Sequence, residues 1–221
     1  MSTVPFYQDD PNVLEIGIDE AGRGPLFGRV YTSAVILPKE SFDYTRMKDS
    51  KRFYSTKRIL EEEAYIKENA LAWSVCYRDE KRIDSINILR ATMESMHSCI
   101  KQTTTEMGID REYLLLVDGN YFTEYIYFEN DKLGTIDHVT IKGGDDKYSS
   151  ISAASILAKC ARDRYIDELC DIYPELNTRY KIGSNKGYGA KVHMDGIREY
   201  GVTQFHRLSY RPCSDVNLNT V

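Results

Sequence analysis

The segment that most restricts the fold of this chain is YLLLVDG, residues 113–119, the most apolar run in its 221 residues. Such a run suits a central β-strand that is covered on both faces. LEIGIDE (14–20) predicts a second strand with Ile16 and Ile18 on one face, and RVYTSAVIL (29–37) predicts its hairpin partner or neighbour. Because helical segments separate these strands, the pattern indicates an α/β fold with a mixed β-sheet.

The apolar spacing elsewhere predicts the helices. Residues 55–70 begin at a predicted N-cap, Ser55, and are expected to bury Ile59, Leu60 and Ala64. The longest predicted helix, residues 149–173, has one apolar stripe: Leu157, Ala161, Tyr165, Leu169 and Ile172. The remaining expectations are a strand over 70–77, a helix over 86–102, short strands or loops from 123 to 147 and a last helix over 190–201.

The absence of a repeat or an obvious linker predicts one domain over residues 1–221. A sheet-and-helix core is expected over about 14–172, and a helical C-terminal extension over about 173–221. The five cysteines form no Cys-x-x-Cys pair, and the N-terminus lacks a basic flank and an apolar core. We therefore expect an intracellular protein without membrane insertion, located in the cytoplasm, or in the nucleus of a eukaryote. The protein is also expected to be a monomer.

Four acids follow or adjoin the predicted strands: Asp19, Glu20, Asp118 and Asp145. Converging carboxylates repel one another unless a cation lies between them, and Mg²⁺ or Mn²⁺ suits such oxygen ligands. Because neighbouring strand residues point to opposite faces, either the strand ends at Asp19 or Glu20 reaches round. An acid after a strand can equally be a turn former, and Asp118-Gly119-Asn120 is ordinary turn sequence.

Gly22-Arg23-Gly24 fits a plain tight turn, or a loop whose backbone approaches a sugar-phosphate chain. Two short basic groups, which include Lys51 and Lys186, fit either a solvated face or a local site for nucleic acid, since the net charge of the chain is −5. Tyr188, between two glycines, has little to pack against locally and could stack on a sugar or base.

The order and spacing of seven segments resemble those of type 2 ribonucleases H, the ribonuclease HII family. The segments are GIDEAGRGP (17–25), KDSKR (48–52), LLVDGN (115–120), KGGDD (142–146), ISAASILAKCARD (151–163), NKGYG (185–189) and FHRLSY (205–210). This resemblance implies a ribonuclease H-like mixed β-sheet flanked by helices, with a helical C-terminal region.

The resemblance also implies an endonuclease that hydrolyses the RNA strand of RNA–DNA hybrids and cuts duplex DNA at single embedded ribonucleotides. Two Mg²⁺ or Mn²⁺ ions would serve the reaction, which leaves 3′-hydroxyl and 5′-phosphate ends. Asp19, Glu20 and Asp118 match the metal-binding acids of the family. The fourth acid falls in KGGDD, where counting back from ISAAS favours Asp145 over Asp146.

For the substrate, the resemblance matches Gly22, Arg23 and Gly24 to the loop that meets the RNA–DNA junction. Tyr188 matches the tyrosine that reads the junction, and Lys51 matches a residue that contacts a backbone phosphate. Arg162 of the long helix is interpreted as packing, and His193 and His206 as surface or structural residues.

Two alternatives remain at this point. A ribonuclease HIII-like nuclease shares most of the acids but usually has a different glycine loop. A hybrid-binding subunit that has lost catalysis would keep the fold without turnover.

Overall fold

A computed structural model describes residues 3–47, 55–129 and 131–216. Lys51, and with it the whole KDSKR segment, lies outside the described residues. The strands of the described residues are β1 (Leu14–Ala21), β2 (Val30–Ile36), β3 (Ala72–Arg78), β4 (Tyr113–Asp118), β5 (Ile126–Glu129), β6 (Lys132–Thr135) and β7 (Asp137–Ile141). Its helices are α1 (Thr56–Asn69), α2 (Glu80–Ile86), α3 (Ile88–Met107), α4 (Ser149–Ile172), α5 (Glu175–Tyr180), α6 (Ile182–Asn185) and α7 (Lys191–Tyr200).

The main sheet has five strands in the order β3-β2-β1-β4-β7, and β5 pairs with β6 in a separate hairpin. β4 runs parallel to β1 on one side and to β7 on the other. The predicted α/β class and mixed sheet flanked by helices are therefore confirmed. Within residues 3–47, 55–129 and 131–216, every helix is too short or too polar to cross a lipid bilayer.

The two faces of the central strands pack against different helices. Ile16 and Ile18 of β1 lie in one buried cluster with Val117 of β4 and with Met96 and Ile100 of α3. Glu15 and Asp19, on either side of them in β1, point the other way, as strand geometry requires. Ile16 and Ile18 thus share a face, as the sequence predicts.

On the opposite face, Gly17 lets α4 approach β1 closely. A Cβ atom at Gly17 would lie 2.1 Å from the backbone carbon of Ser150, at the start of α4. A second buried cluster joins Val35 of β2 to Ala154 and Leu157 of α4. The N-terminus of α4 is thereby fixed against the strand that carries Asp19.

The chain divides into two compact units. One consists of Met1–Ala21, Thr32–Cys76 and Met93–Cys160, and the other of Gly22–Tyr31, Tyr77–Thr92 and Ala161–Val221. The first contains the buried clusters around α3 and the first half of α4. The second contains a smaller cluster of Val30, Ile83 and Ala91. The boundary near residue 172 and the single domain stay predictions.

Two details of the predicted helices are wrong. Ser55 caps α1 as expected, since its hydroxyl accepts a bond from the Arg58 N–H, but Leu60 and Ala64 are exposed. The buried face of α1 instead includes two charged residues that have partners: Glu62 bonds Arg46 at 2.6 Å, and Glu63 bonds Lys67 at 2.7 Å. The spacing of apolar residues alone therefore predicts the wrong buried face for α1.

In α4, Ile172 is exposed although it continues the apolar stripe. It is the last residue of the helix, where Pro174 follows within two positions. The short helices α2, α5 and α6 carry too few turns to give a periodic signal and were not predicted.

Candidate active site

Asp19 and Asp118 lie near the carboxyl ends of the parallel strands β1 and β4. The strand register pairs Ile18 with Val117, so the residues that follow, Asp19 and Asp118, are neighbours across the two strands. Ile18 and Val117 point toward α3. Asp19 and Asp118 therefore project to the other face, on which α4 packs.

Asp19 is buried in a negatively charged environment. Burial raises the pKa of its carboxyl well above the usual range, and the charges of Glu20 and Asp118 raise it further. Hydrogen bonds from the Ser155 hydroxyl and from the Glu20 N–H, at 2.7 Å, act in the opposite direction. A cation held between these carboxylates would remove the repulsion that raises the pKa.

Glu20 contributes to this environment although it follows Asp19 directly. β1 continues to Ala21, so the strand does not end at Asp19. Glu20 is half-buried, and its charge is the second cause of the Asp19 pKa shift after burial. Glu20 thus acts on Asp19 from within the strand, which leaves the side chain to reach round.

Asp145 lies in a short 3-10 turn, Gly144–Asp146, which a left-handed Gly143 precedes at φ 65°. The Gly144 N–H donates to Oδ1 of Asp118 at 2.6 Å, so the turn is tied to the end of β4. Asp145 is buried and Asp146 is exposed. Of the two aspartates in KGGDD, Asp145 is the one turned into the protein.

The donor set suits a hard divalent cation, because all four candidate ligands are carboxylates. In the part of the chain that the structure describes, however, no three His, Cys, Asp or Glu side chains form a ready-made metal cluster. The fit therefore rests on donor chemistry and on the charge density around Asp19.

The loop Gly22-Arg23-Gly24 belongs to the second unit. Gly22 has a φ of +91°, and a Cβ there would lie 2.2 Å from Nε of Arg162. Two buried arginines, Arg162 and Arg207, bind the carbonyl oxygens of this loop and of the residues after it. The conformation of the loop is thus set from inside the protein.

Arg162, on α4, contacts three carbonyl groups of the second unit. Its Nη2 donates to Phe27 at 3.1 Å and to Lys186 at 2.9 Å, and its Nε donates to Arg29 at 3.3 Å. Burial, followed by the charge of Arg207, lowers its pKa to about 10. Arg162 therefore remains a cation at neutral pH and joins the loop that precedes Tyr188 to the segment after Gly24.

Tyr188 has an exposed ring, with 53% of the residue accessible. A Cβ at Gly24 would lie 3.6 Å from Cε1 of this ring, so Tyr188 and Gly24 are neighbours. Lys186, two residues earlier, forms an ion pair with Asp167. The second unit thus brings Tyr188 to the glycine loop, while Lys186 is engaged with α4.

Three residues of these sites were not assigned a role from the sequence. Ser155 hydrogen-bonds Asp19, Arg207 binds carbonyls of the glycine loop, and Arg162 binds carbonyls of the residues after it. Each stands in a segment that carries the family resemblance, ISAASILAKCARD or FHRLSY. The available signal was therefore the presence of a polar or cationic residue in a segment otherwise typical of packing.

Comparison with known proteins identifies the family. The profile of the family "Ribonuclease HII" matches residues 16–213. A ribonuclease HII of Bacteroides thetaiotaomicron is 42% identical over 216 residues, which cover 98% of each chain. A ribonuclease HII of Neisseria meningitidis is 39% identical over 201 residues, which cover 91% of this chain and 94% of that one.

Solved structures give the same fold. The ribonuclease H2 of Pyrococcus horikoshii has a TM-score of 0.67 at 20% identity, with 91% of this chain and 96% of that chain covered. Bst-RNase HIII in complex with Mn²⁺ has a TM-score of 0.69 at 16% identity, with 92% and 68% covered. The sequence matches, which are far closer, decide between the ribonuclease types. The chain belongs to the ribonuclease HII family and is a hydrolytic ribonuclease H that acts on RNA–DNA hybrids.

Proposed function

We propose that this ribonuclease H also cuts duplex DNA at single embedded ribonucleotides, by a two-metal-ion mechanism that leaves 3′-hydroxyl and 5′-phosphate ends. The observation that carries the proposal is the position of Asp19 and Asp118 at the ends of neighbouring parallel strands, with Glu20 and Asp145 beside them. In the sequence, Ala21 alone separates Glu20 from Gly22-Arg23-Gly24.

Asp19, Glu20, Asp118 and Asp145 are the residues that would hold Mg²⁺ or Mn²⁺. Bound there, two such ions would activate the attacking water and stabilise the leaving 3′-oxygen. Ser155 orients the Asp19 carboxylate through its hydroxyl. Gly144 holds the Asp118 carboxylate through its N–H, so two of the four acids have fixed orientations.

The charge around Asp19 supports the assignment of metal ligands. Burial and two neighbouring acids raise the pKa of Asp19, so its carboxyl gives up its proton less readily than an ordinary aspartate. Cation binding and ionisation of the acids therefore favour each other. The solved Bst-RNase HIII, which shares the fold, is in complex with Mn²⁺.

Selection of the ribonucleotide is assigned to Gly22, Arg23, Gly24 and Tyr188. The carbonyls of Gly22 and Arg23 face Arg207, so the N–H groups of the next residues, Arg23 and Gly24, point the opposite way across each trans peptide. Main-chain donors can bind a 2′-hydroxyl, the group that distinguishes RNA from DNA. The exposed Tyr188 ring beside Gly24 can stack on the sugar or base. Lys186 and Lys51 are assigned to the phosphate backbone.

The test is cleavage of two duplexes by the isolated chain with Mg²⁺ or Mn²⁺. One duplex carries a single ribonucleotide in an otherwise DNA strand, and the other has an all-DNA strand of the same sequence. We expect one cut at the ribonucleotide and none in the control, with product ends that a DNA polymerase extends directly. Activity on a full hybrid without any cut at the single ribonucleotide would contradict the proposal and leave the ribonuclease H activity standing.

A further inference from the structure

The segment Phe205–Tyr210 runs alongside the residues that follow the glycine loop. Phe27 and His206 form an antiparallel bridge. The Gly28 N–H donates to the Phe205 carbonyl at 2.8 Å, and the Arg207 N–H donates to the Leu26 carbonyl at 2.8 Å. Because successive residues in an extended pairing point to opposite sides, His206 and Arg207 reach different partners.

His206 is buried and reaches the backbone of Tyr188 through His193. The Thr203 N–H donates to Nδ1 of His206 at 2.9 Å, which leaves the ring proton of His206 on Nε2. That proton is donated to Nε2 of His193 at 3.0 Å, so Nδ1 of His193 carries a proton in turn. His193 donates it to the Tyr188 carbonyl at 2.8 Å.

The hydrogen bonds in this series all run in one direction, from the Thr203 N–H to the Tyr188 carbonyl. A backbone N–H that cannot reverse its role fixes the first histidine, and each ring then fixes the next. Both rings are neutral in this arrangement, and burial lowers the pKa of each histidine, which keeps them neutral. The Tyr188 carbonyl, and with it the Gly187-Tyr188-Gly189 backbone, is thereby held in one orientation.

Arg207 reaches the glycine loop on the other side. The residue is fully buried, and its guanidinium donates to the carbonyls of Gly22 at 2.6 Å, Arg23 at 2.9 Å and Gly28 at 2.9 Å. Tyr210, three residues later, adds a bond from its hydroxyl to the Arg23 carbonyl at 3.0 Å. A planar guanidinium can bind three carbonyls at once, which a lysine ammonium on a flexible stem does not reproduce.

The segment that carries both residues is itself anchored. The carboxylate of Asp84 on α2 accepts bonds from the N–H groups of Leu208 and Ser209, both at 2.9 Å. It also accepts a bond from the Ser209 hydroxyl at 2.6 Å. The backbone after Arg207 therefore has little freedom to move.

We propose that the adjacent residues His206 and Arg207 are positioning residues that set the two ribonucleotide-reading elements, Tyr188 and the Gly22-Arg23-Gly24 loop, in one geometry. The inference rests on the proposed function, because it explains how that selectivity is maintained. It assigns no contact between either residue and the substrate. Loss of either should lower selectivity for the embedded ribonucleotide more than it lowers hydrolysis of a full hybrid.

The experiment compares kcat/KM for a duplex with one ribonucleotide against kcat/KM for a full RNA–DNA hybrid, in the same enzyme preparation. Their ratio does not depend on how much of a variant is folded, so a purely destabilised variant keeps the parental ratio. We expect Arg207→Lys and His206→Phe each to lower the ratio about tenfold or more, because small displacements of positioning groups are costly. Arg198→Lys and His138→Phe, at exposed positions, should keep it within about twofold.

The outcomes separate the two proposals. A parent enzyme that never cuts at the single ribonucleotide would overturn the proposed function and this inference with it. A parent that cuts there, together with Arg207→Lys and His206→Phe variants that keep the parental ratio, would overturn the positioning role alone. A lower ratio of the two kcat/KM values in both variants, with thermal unfolding near that of the parent, would support the positioning role.

Discussion

The N–H of Gly144 donates to the carboxylate of Asp118 at 2.6 Å and so ties the loop that carries Asp145 to the end of β4. This one bond thereby holds Asp118 next to the turn that contains Asp145, 27 residues later in the sequence. It also uses one oxygen of Asp118, which fixes the direction of the other. The acids of the candidate metal site consequently depend on backbone contacts as well as on their own side chains.

Asp118→Asn should abolish hydrolysis without unfolding the protein. The amide oxygen can still accept the bond from Gly144, but the charge needed to bind a divalent cation is lost. We expect kcat/KM on an RNA–DNA hybrid to fall at least about a thousandfold, equivalent to roughly 4 kcal/mol. Steady-state cleavage in Mg²⁺ and in Mn²⁺ measures the effect.

The matched control is Asp137→Asn, which removes an exposed carboxylate from β7. It should retain the parental rate. Equal rates for Asp118→Asn and the parent would show that Asp118 is no metal ligand.

Asp145 and Asp146 should differ in their effect on catalysis. Asp145 is buried beside the residue that binds Asp118, whereas Asp146 is exposed. We expect Asp145→Asn to reduce kcat/KM about a hundredfold or more, and Asp146→Asn to change it by less than about twofold. If the two effects were reversed, the fourth ligand would be Asp146.

Ser155→Ala should weaken metal binding while leaving the fold intact. The Ser155 hydroxyl orients the Asp19 carboxylate, and groups that orient ligands typically contribute about tenfold to a hundredfold in affinity. A titration of cleavage rate against Mn²⁺ concentration should therefore shift to higher concentration by about tenfold.

Ser152→Ala, on the same helix, serves as the control for Ser155→Ala. Within the described residues the buried Ser152 hydroxyl has no hydrogen-bond partner, so its removal costs no bond. Identical Mn²⁺ titrations for both serine variants would show that Ser155 has no role in metal binding.

Gly17→Ala should destabilise the protein strongly. The added Cβ would lie 2.1 Å from backbone atoms of Ser150, so β1 and α4 would have to separate. We expect the free energy of unfolding in urea to fall by about 3 kcal/mol or more. Gly189→Ala, whose Cβ would meet its nearest side-chain atoms at 3.7 and 3.8 Å, should cost much less. Similar losses in both variants would mean that the close packing at Gly17 is not a constraint.

The buried histidines should make the protein less stable as the pH falls below about 6.5. Burial, followed by the neighbouring His193, lowers the pKa of His206 to about 3. Above pH 6.5 the ring is neutral in both states. Below it, the unfolded state binds a proton that the folded state excludes, so the free energy of unfolding falls by about 1.4 kcal/mol per pH unit until the folded pKa is reached.

Urea unfolding of the parent and of His206→Phe between pH 7 and pH 4 checks this slope. The difference in unfolding free energy between the two proteins should shrink as the pH falls, because the variant lacks the titrating ring. Comparison within a pair cancels the opposite contribution of Asp19, whose raised pKa favours the folded state at low pH. His138→Phe, at an exposed position, should follow the parent, and a pH-independent difference for His206→Phe would contradict the prediction.

Part of the site was predictable from the sequence because strand geometry is local. The apolar runs before Asp19 and Asp118 place these acids at strand ends, and parallel pairing makes them neighbours. Counting back from ISAAS favours Asp145 over Asp146, and the fold adds that Asp145 is buried and Asp146 exposed. Burial of one and exposure of the other depend on the turn after Gly143.

The roles of Arg162 and Arg207 could not be read from the sequence for another reason. Arg162 bonds a carbonyl 133 positions earlier, and Arg207 bonds one 185 positions earlier. Neither periodicity nor a local motif indicates contacts at such separation, so Arg162 is interpreted as packing and Arg207 receives no role. The exposed Leu60 is the converse case, because its helix buries paired glutamates instead.

The carbonyls of Gly22 and Arg23 point toward the buried Arg207, which affects what a substitution in the loop can change. The N–H groups of Arg23 and Gly24, on the opposite side of each peptide from these carbonyls, belong to the main chain, so of the replacements at position 23 only proline would delete one of them. A change of the Arg23 side chain would therefore leave these donors in place, whereas a change of the buried Arg207 would remove the bonds that hold both carbonyls. The shape of this surface loop thus depends on position 207, a fully buried residue 184 positions after Arg23.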